Sequence, residues 1–187
     1  MPARMPSDPK PPEPGPPEPR PPERAVLELP DLAATERLAA AVAGLARPGE
    51  AVLLTGPLGA GKSAFARAFV RAWVGDPAAE VPSPTFTLVQ PYDGQRGPVW
   101  HCDLYRLGDP DELPELGIEQ GLAEAVLLVE WPDRLGPWIP VDRLELALEM
   151  CQQAPDARRA TLVGFGTWTD RLRSLAAGWT NGVEERT

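Results

Sequence analysis

Apolar positions along this chain follow two rhythms, one of period two and one near 3.6, and their succession predicts the elements. Val26-Leu27-Glu28-Leu29 reads as a first strand. Leu32, Leu38, Val42 and Leu45 then recur at helical spacing, so a helix is expected over 32–46. Asp31 is placed to cap it and Pro48-Gly49 to stop it. Ala51-Val52-Leu53-Leu54-Thr55 is an unbroken apolar run suited to a buried parallel strand. Phe65, Phe69, Ala72 and Trp73 restore helical spacing until Gly75-Asp76-Pro77 ends it.

The second half continues in the same way. Residues 87–92 and 99–103 read as two strands around Asp93-Gly94, a turn signal. Asp109 to Leu113 reads as a short capped helix, followed by irregular chain to Gly121. Ala125 to Glu130 is a buried strand ended by a carboxylate, and Trp131-Pro132 does not extend it easily. Residues 143–149 alternate cleanly, giving a strand with one wet face, and 161–165 form another. Thr167 is placed to cap a last helix with Trp168, Leu172, Leu175 and Trp179 on one stripe, read as core. No internal repeat is visible.

Composition adds boundaries. Residues 1–24 carry eleven of the 25 prolines with little that is apolar, which predicts a disordered or polyproline-II tail. The rest has room for one domain over 25–180, with a short C-terminal tail at 181–187. No run is apolar enough to span a bilayer, and no basic start precedes an apolar segment, so no membrane association and a cytoplasmic location are expected. Cys102 and Cys151 are far apart in sequence, consistent with a reducing compartment. The tail is charge-balanced, so the net charge of −9 lies in the domain. That argues against a broad basic face that grips nucleic acid unaided.

The chemistry concentrates between the second strand and the second helix. Gly56-Pro57-Leu58-Gly59-Ala60-Gly61-Lys62-Ser63 fits the phosphate-binding loop (Walker A) pattern, in the strand–loop–helix context that the pattern needs. Glycines allow a sharp turn, so that successive amides face a phosphate, and the helix N-terminus adds partial positive charge. The Lys62 ammonium reaches β/γ-phosphates and the Ser63 hydroxyl suits Mg²⁺. Lysine occurs only at Lys10 and Lys62 in a chain that otherwise uses arginine. A compact ammonium fits between phosphate oxygens where a planar guanidinium does not.

Three further groups are candidates. Val81-Pro82-Ser83-Pro84-Thr85-Phe86 is either a switch loop placing Thr85 near γ-phosphate, metal or attacking water, or a rigid turn with local hydroxyl caps. Asp103 and Glu130 both follow strands, where ligands gather in α/β sheets; either or both hold metal or orient water. His101, the only histidine, shares a strand face with Asp103 and reads first as a structural hydrogen-bonder.

With these residues assembled, the chain resembles the TsaE (YjeE) family over about residues 26–165. Four blocks carry the resemblance: Gly56 to Ser63; Ser83-Pro84-Thr85-Phe86-Thr87-Leu88-Val89; His101-Cys102-Asp103-Leu104-Tyr105-Arg106-Leu107; and Leu128-Val129-Glu130-Trp131-Pro132. It implies a single phosphate-loop (P-loop) NTPase domain of α/β class, with a mixed, mostly parallel sheet flanked by helices. It implies ATP and Mg²⁺ held through Gly56, Gly59, Ala60, Gly61, Lys62, Ser63 and Ala64. Metal-site roles fall on Ser63, Asp103 and Glu130, and catalytic roles on Lys62, Asp103, Glu130 and the switch residue Thr85. Leu32 and Thr35 are expected to border the adenine, and Arg159 to match a late arginine near the nucleotide. The family's partners are TsaB and TsaD, the latter transferring threonylcarbamoyl to adenosine 37 of tRNA. A slow, partner-dependent ATPase that controls docking to that complex is therefore expected, touching tRNA only through its partners.

Pro57 departs from the family's usual aspartate, and Ser63 stands where threonine is common; serine keeps the hydroxyl. The proline tail lies outside the family pattern. Two other functions are compatible with the residues: a small-molecule kinase recruiting Arg106 and Arg134, and a module that binds ATP without hydrolysing it.

Overall fold

The computed structural model describes residues 21–179. The tail expected at 181–187 and most of that at 1–24 lie outside the described residues. Glu23 and Arg24, placed in the tail on composition, open the first strand, β1 (Glu23–Leu29).

Helix α1 (Leu32–Leu45) begins where expected, with the Asp31 carboxylate accepting from the Ala34 amide at 2.7 Å. Strand β2 (Ala51–Thr55) leads through the glycine loop into α2 (Lys62–Val74), closed by left-handed Gly75. Strands β3 (Val89–Gly94) and β4 (Gly97–Asp103) form a hairpin, and α3 (Ile118–Glu124) precedes β5 (Val126–Glu130). A second hairpin, β6 (Arg143–Cys151) and β7 (Ala154–Phe165), leads to α4 (Trp168–Gly178).

The seven strands form one mixed sheet in the order β1-β7-β6-β2-β5-β4-β3. Its centre, β6-β2-β5-β4, is parallel, and the antiparallel strands β7, β1 and β3 extend it to both edges. Side chains alternate across each strand, so β2 serves two cores. Val52 and Leu54 face a core shared with α1, α2 and α4. Ala51 and Leu53 face a smaller one with Leu104, Leu113, Ile118 and Leu135. The stripe of α4 is core as expected, with Trp168 and Leu172 buried and Leu175 and Trp179 packed against them.

One aromatic ladder fixes the loop helix to the neighbouring strands. Phe65, Phe69 and Trp73 stack at 6.5 and 6.2 Å between centroids along α2, and the Trp73 indole donates to the Gly97 carbonyl at 2.9 Å. Each buried side chain of that size contributes roughly 1.5–3 kcal/mol.

Four local expectations are corrected. The β3–β4 turn is Gln95-Arg96, because Asp93 and Gly94 remain paired with Pro98 and Gly97. Arg96 then reaches the carbonyls of Ala43, Gly44 and Ala46 at the end of α1 and covers the Trp73 ring. Residues 118–124 are helical rather than irregular; Gly121 there admits the Trp100 ring where a Cβ would sit 2.8 Å from it. Strand β7 starts at Ala154, which pairs with Cys151 across a register shift in β6; ladder partners on both sides begin at Arg158. Thr167 stands at the start of α4 but makes no cap bond; its hydroxyl donates to buried Glu50 at 3.0 Å.

Candidate functional site

The glycine loop is built by its backbone. Gly56, Gly59 and Gly61 take φ of 135°, 81° and 107°, values that side chains disfavour. A Cβ on Gly56 would also overlap the Leu148 carbonyl of β6. The first α-helical bond of α2 runs from the Phe65 amide to the Gly61 carbonyl at 2.9 Å. The amides of Gly61, Lys62, Ser63 and Ala64 thus precede the helical ladder, the usual source of an anion-binding helix start.

Lys62 is buried to 5% exposure. Its ammonium donates to the Gly56 and Pro57 carbonyls at 2.7 and 3.0 Å and lies 4.1 Å from the Trp131 ring centroid. Burial pushes its pKa below the usual lysine value, while the Glu130 and Asp103 carboxylates pull it back. A phosphate in the loop would add the negative charge that this ammonium lacks.

Parallel pairing of β4 and β5 sets Asp103 directly beside Glu130 at the strand ends, both buried. The Ser63 hydroxyl donates to one Glu130 oxygen at 2.9 Å, and His101 Nε2 lies 2.9 Å from the other. An ionised carboxylate only accepts, so the His101 proton belongs on Nε2; Nδ1 has no partner among the described residues. Thr85 donates to Asp103 at 2.7 Å, with Ser83 at 3.4 Å, and the Tyr105 amide reaches the other Asp103 oxygen at 3.2 Å. The loop before β3 is thereby pinned to Asp103. It ends at Leu88, which, like Trp131 after Glu130, takes a left-handed φ near 60°.

Two clefts meet at Gly61 and Ala64. The first, about 390 Å³, is lined by the loop, Lys62, Ser63, Thr85, Asp103, Arg106, Glu130 and Trp131. The second, about 430 Å³, lies between Leu32 and Thr35 of α1 and Asp156 and Arg158 of β7. Arg159 is not brought there. It pairs with Glu28 at 2.9 Å, because neighbouring residues on a strand face opposite sides. Arg158 lines that cleft instead, its Nε donating to the Ala60 carbonyl at 2.9 Å. Trp131, which follows a strand end and belongs to the fourth of the resemblance blocks, also covers Lys62, a role that nothing in the sequence signals.

The donor set fits a hard divalent cation, since Ser63, Glu130 and Asp103 offer only oxygens. No group of three or more His, Cys, Asp or Glu side chains able to hold a metal occurs among the described residues. A cation there would complete its shell with phosphate oxygens and water, as Mg²⁺ commonly does. No described helix is long and apolar enough to cross a membrane.

A glycine loop between a parallel strand and a helix, facing two strand-end carboxylates, defines a phosphate-loop α/β domain. The family described as Threonylcarbamoyl adenosine biosynthesis protein TsaE matches residues 29–160. The tRNA threonylcarbamoyladenosine biosynthesis protein TsaE of Rickettsia bellii is 37% identical over 116 residues, 62% of this chain and 80% of that protein. Its namesake in Streptomyces coelicolor is 36% identical over 143 residues, 73% of this chain and 95% of that protein. The crystal structure of Bacillus subtilis YdiB superposes with a TM-score of 0.66 at 25% identity, covering 84% of this chain and 97% of that one. The chain belongs to the TsaE family.

Proposed function

We propose that this protein is a Mg²⁺-dependent ATPase serving threonylcarbamoyladenosine modification of tRNA with TsaB- and TsaD-type partners. The pathway follows from family membership. The observation that carries the chemistry is the meeting of Lys62 and Ser63, at the head of α2, with Asp103 and Glu130 at adjacent strand ends.

In this reading the loop amides and Lys62 bind the β- and γ-phosphates and stabilise charge that spreads over the γ-phosphoryl oxygens. Leu32, Thr35 and Arg158 border the base. Ser63 and Glu130, with Asp103 nearby, hold Mg²⁺, which supplies charge neutralisation on the phosphates. Asp103, already accepting from Thr85, orients the attacking water. In this reading the chain alone turns over slowly and gains rate in the complex; an arginine supplied in trans is worth roughly 10³–10⁵-fold in related reactions.

The test is phosphate release from ATP by the full chain, with Lys62→Ala and Glu130→Gln as variants. Both should lose most of the activity; wild-type rates in both would reject the site. Phosphate appearing on a metabolite instead of in water would convert the reading to a kinase. A pull-down of a TsaB/TsaD pair with and without a non-hydrolysable ATP analogue tests the partners, and failure in both states would remove them.

A further inference from the structure

Arg106 lines the same cleft as Lys62, Ser63 and Thr85. The chain holds 27 acids against 18 Lys and Arg, yet among the described residues Arg106 has no carboxylate partner. Its guanidinium instead lies 4.5 Å from the ring centroid of Phe86, a side chain that is 82% exposed and directly follows Thr85.

The two ends of this arginine differ in how firmly they are held. Its backbone is anchored, because the neighbouring Tyr105 amide donates to Asp103 and the Tyr105 ring packs on Trp131 at 5.0 Å. Its tip rests on a solvent-exposed cation–π contact, which is weak. A phosphate offers the same fork two charge-assisted hydrogen bonds, which are stronger and directional. Arg67, the other arginine lining the cleft, is exposed on α2 and rests on no aromatic ring.

We propose that Arg106 distinguishes a nucleoside triphosphate from a diphosphate: its guanidinium leaves Phe86 to pair with the terminal phosphate. Phe86 is uncovered when the third phosphate is present and covered when it is not. This rests on the nucleotide reading above. It adds a residue of the chain itself that reports hydrolysis to the loop tied to Asp103.

The experiment is calorimetric titration of the full chain, with Mg²⁺, against ADP and a non-hydrolysable ATP analogue, using wild type, Arg106→Ala and Arg67→Ala. Arg106→Ala should weaken the triphosphate about tenfold, the scale of one lost charge-assisted contact, and leave ADP unchanged. Equal weakening of both ligands, no weakening of either, or a triphosphate-selective loss in Arg67→Ala instead would overturn the assignment. If wild type binds neither ligand while folded, the nucleotide reading itself falls and takes this one with it. Arg106 is exposed, so matching thermal transitions should accompany every comparison.

Discussion

His101 Nε2 lies 2.9 Å from a Glu130 oxygen, and neither side chain is more than 2% exposed. Glu130 is therefore oriented from behind, which leaves its second oxygen for Ser63. Replacing His101 by alanine leaves that carboxylate buried with one partner fewer, a loss of about 1–3 kcal/mol. Gln at this position, which retains a donor, should recover part of the stability and of the ATP turnover. Urea denaturation of both variants measures the first and phosphate release the second. Equal losses in both would mean that the imidazole only fills space.

Gly56 and Gly59 separate two costs of a side chain in the loop. At Gly56 an alanine meets both a glycine-only backbone conformation and the Leu148 carbonyl; at Gly59 nothing lies within 4 Å. Gly59→Ala should lose on the order of 1–2 kcal/mol, the usual left-handed penalty, and Gly56→Ala clearly more. Denaturation midpoints at equal slope decide it.

Arg158 and Arg159 are adjacent on β7 but serve different surfaces. Arg158→Ala should weaken binding of a fluorescent adenine nucleotide several-fold through loss of the cleft wall and of the tie to Ala60. Arg159→Ala, which removes only an exposed pair with Glu28, should leave binding unchanged. The reverse order would place the base on the other side of the strand.

Burial pushes the Cys102 thiol up to about 12, whereas Cys151 is only half-buried. At pH 8 iodoacetamide should modify Cys151 in the folded chain and spare Cys102 until denaturant is added, which mass spectrometry reads directly. A thiol whose pKa is raised on folding contributes stability below the unfolded value, near 9, and that contribution is lost as pH rises towards 12. Wild type should therefore weaken in alkali relative to Cys102→Ala.

The parts of the fold legible in the sequence are those where local pattern and burial agree. The run before the loop, the Asp31 cap and the acid closing each of two strands needed no distant contact to be read. The side-by-side placement of Asp103 and Glu130 follows once both strands are parallel neighbours. The misread parts depend on remote partners. The strand expected over 161–165 extends back because Arg158, Arg159 and Ala160 find partners on both β1 and β6. Asp93-Gly94 turns well in isolation, but Arg96 gains the end of α1 only when the turn moves two residues on. Thr167 has the right chemistry for a cap, yet buried Glu50 takes its hydroxyl. Arg158 and Arg159 are chemically identical in sequence, and only strand parity tells them apart.

The aromatic ladder along α2 ends on Gly97, the first residue of the strand that delivers Asp103. The glycine-loop helix is thus tied to the Asp103 strand at the end away from the site. The segment that joins them in the chain grips Asp103 through the Ser83 and Thr85 hydroxyls and the Leu88 carbonyl, so Phe86 sits inside the stretch that holds that acid.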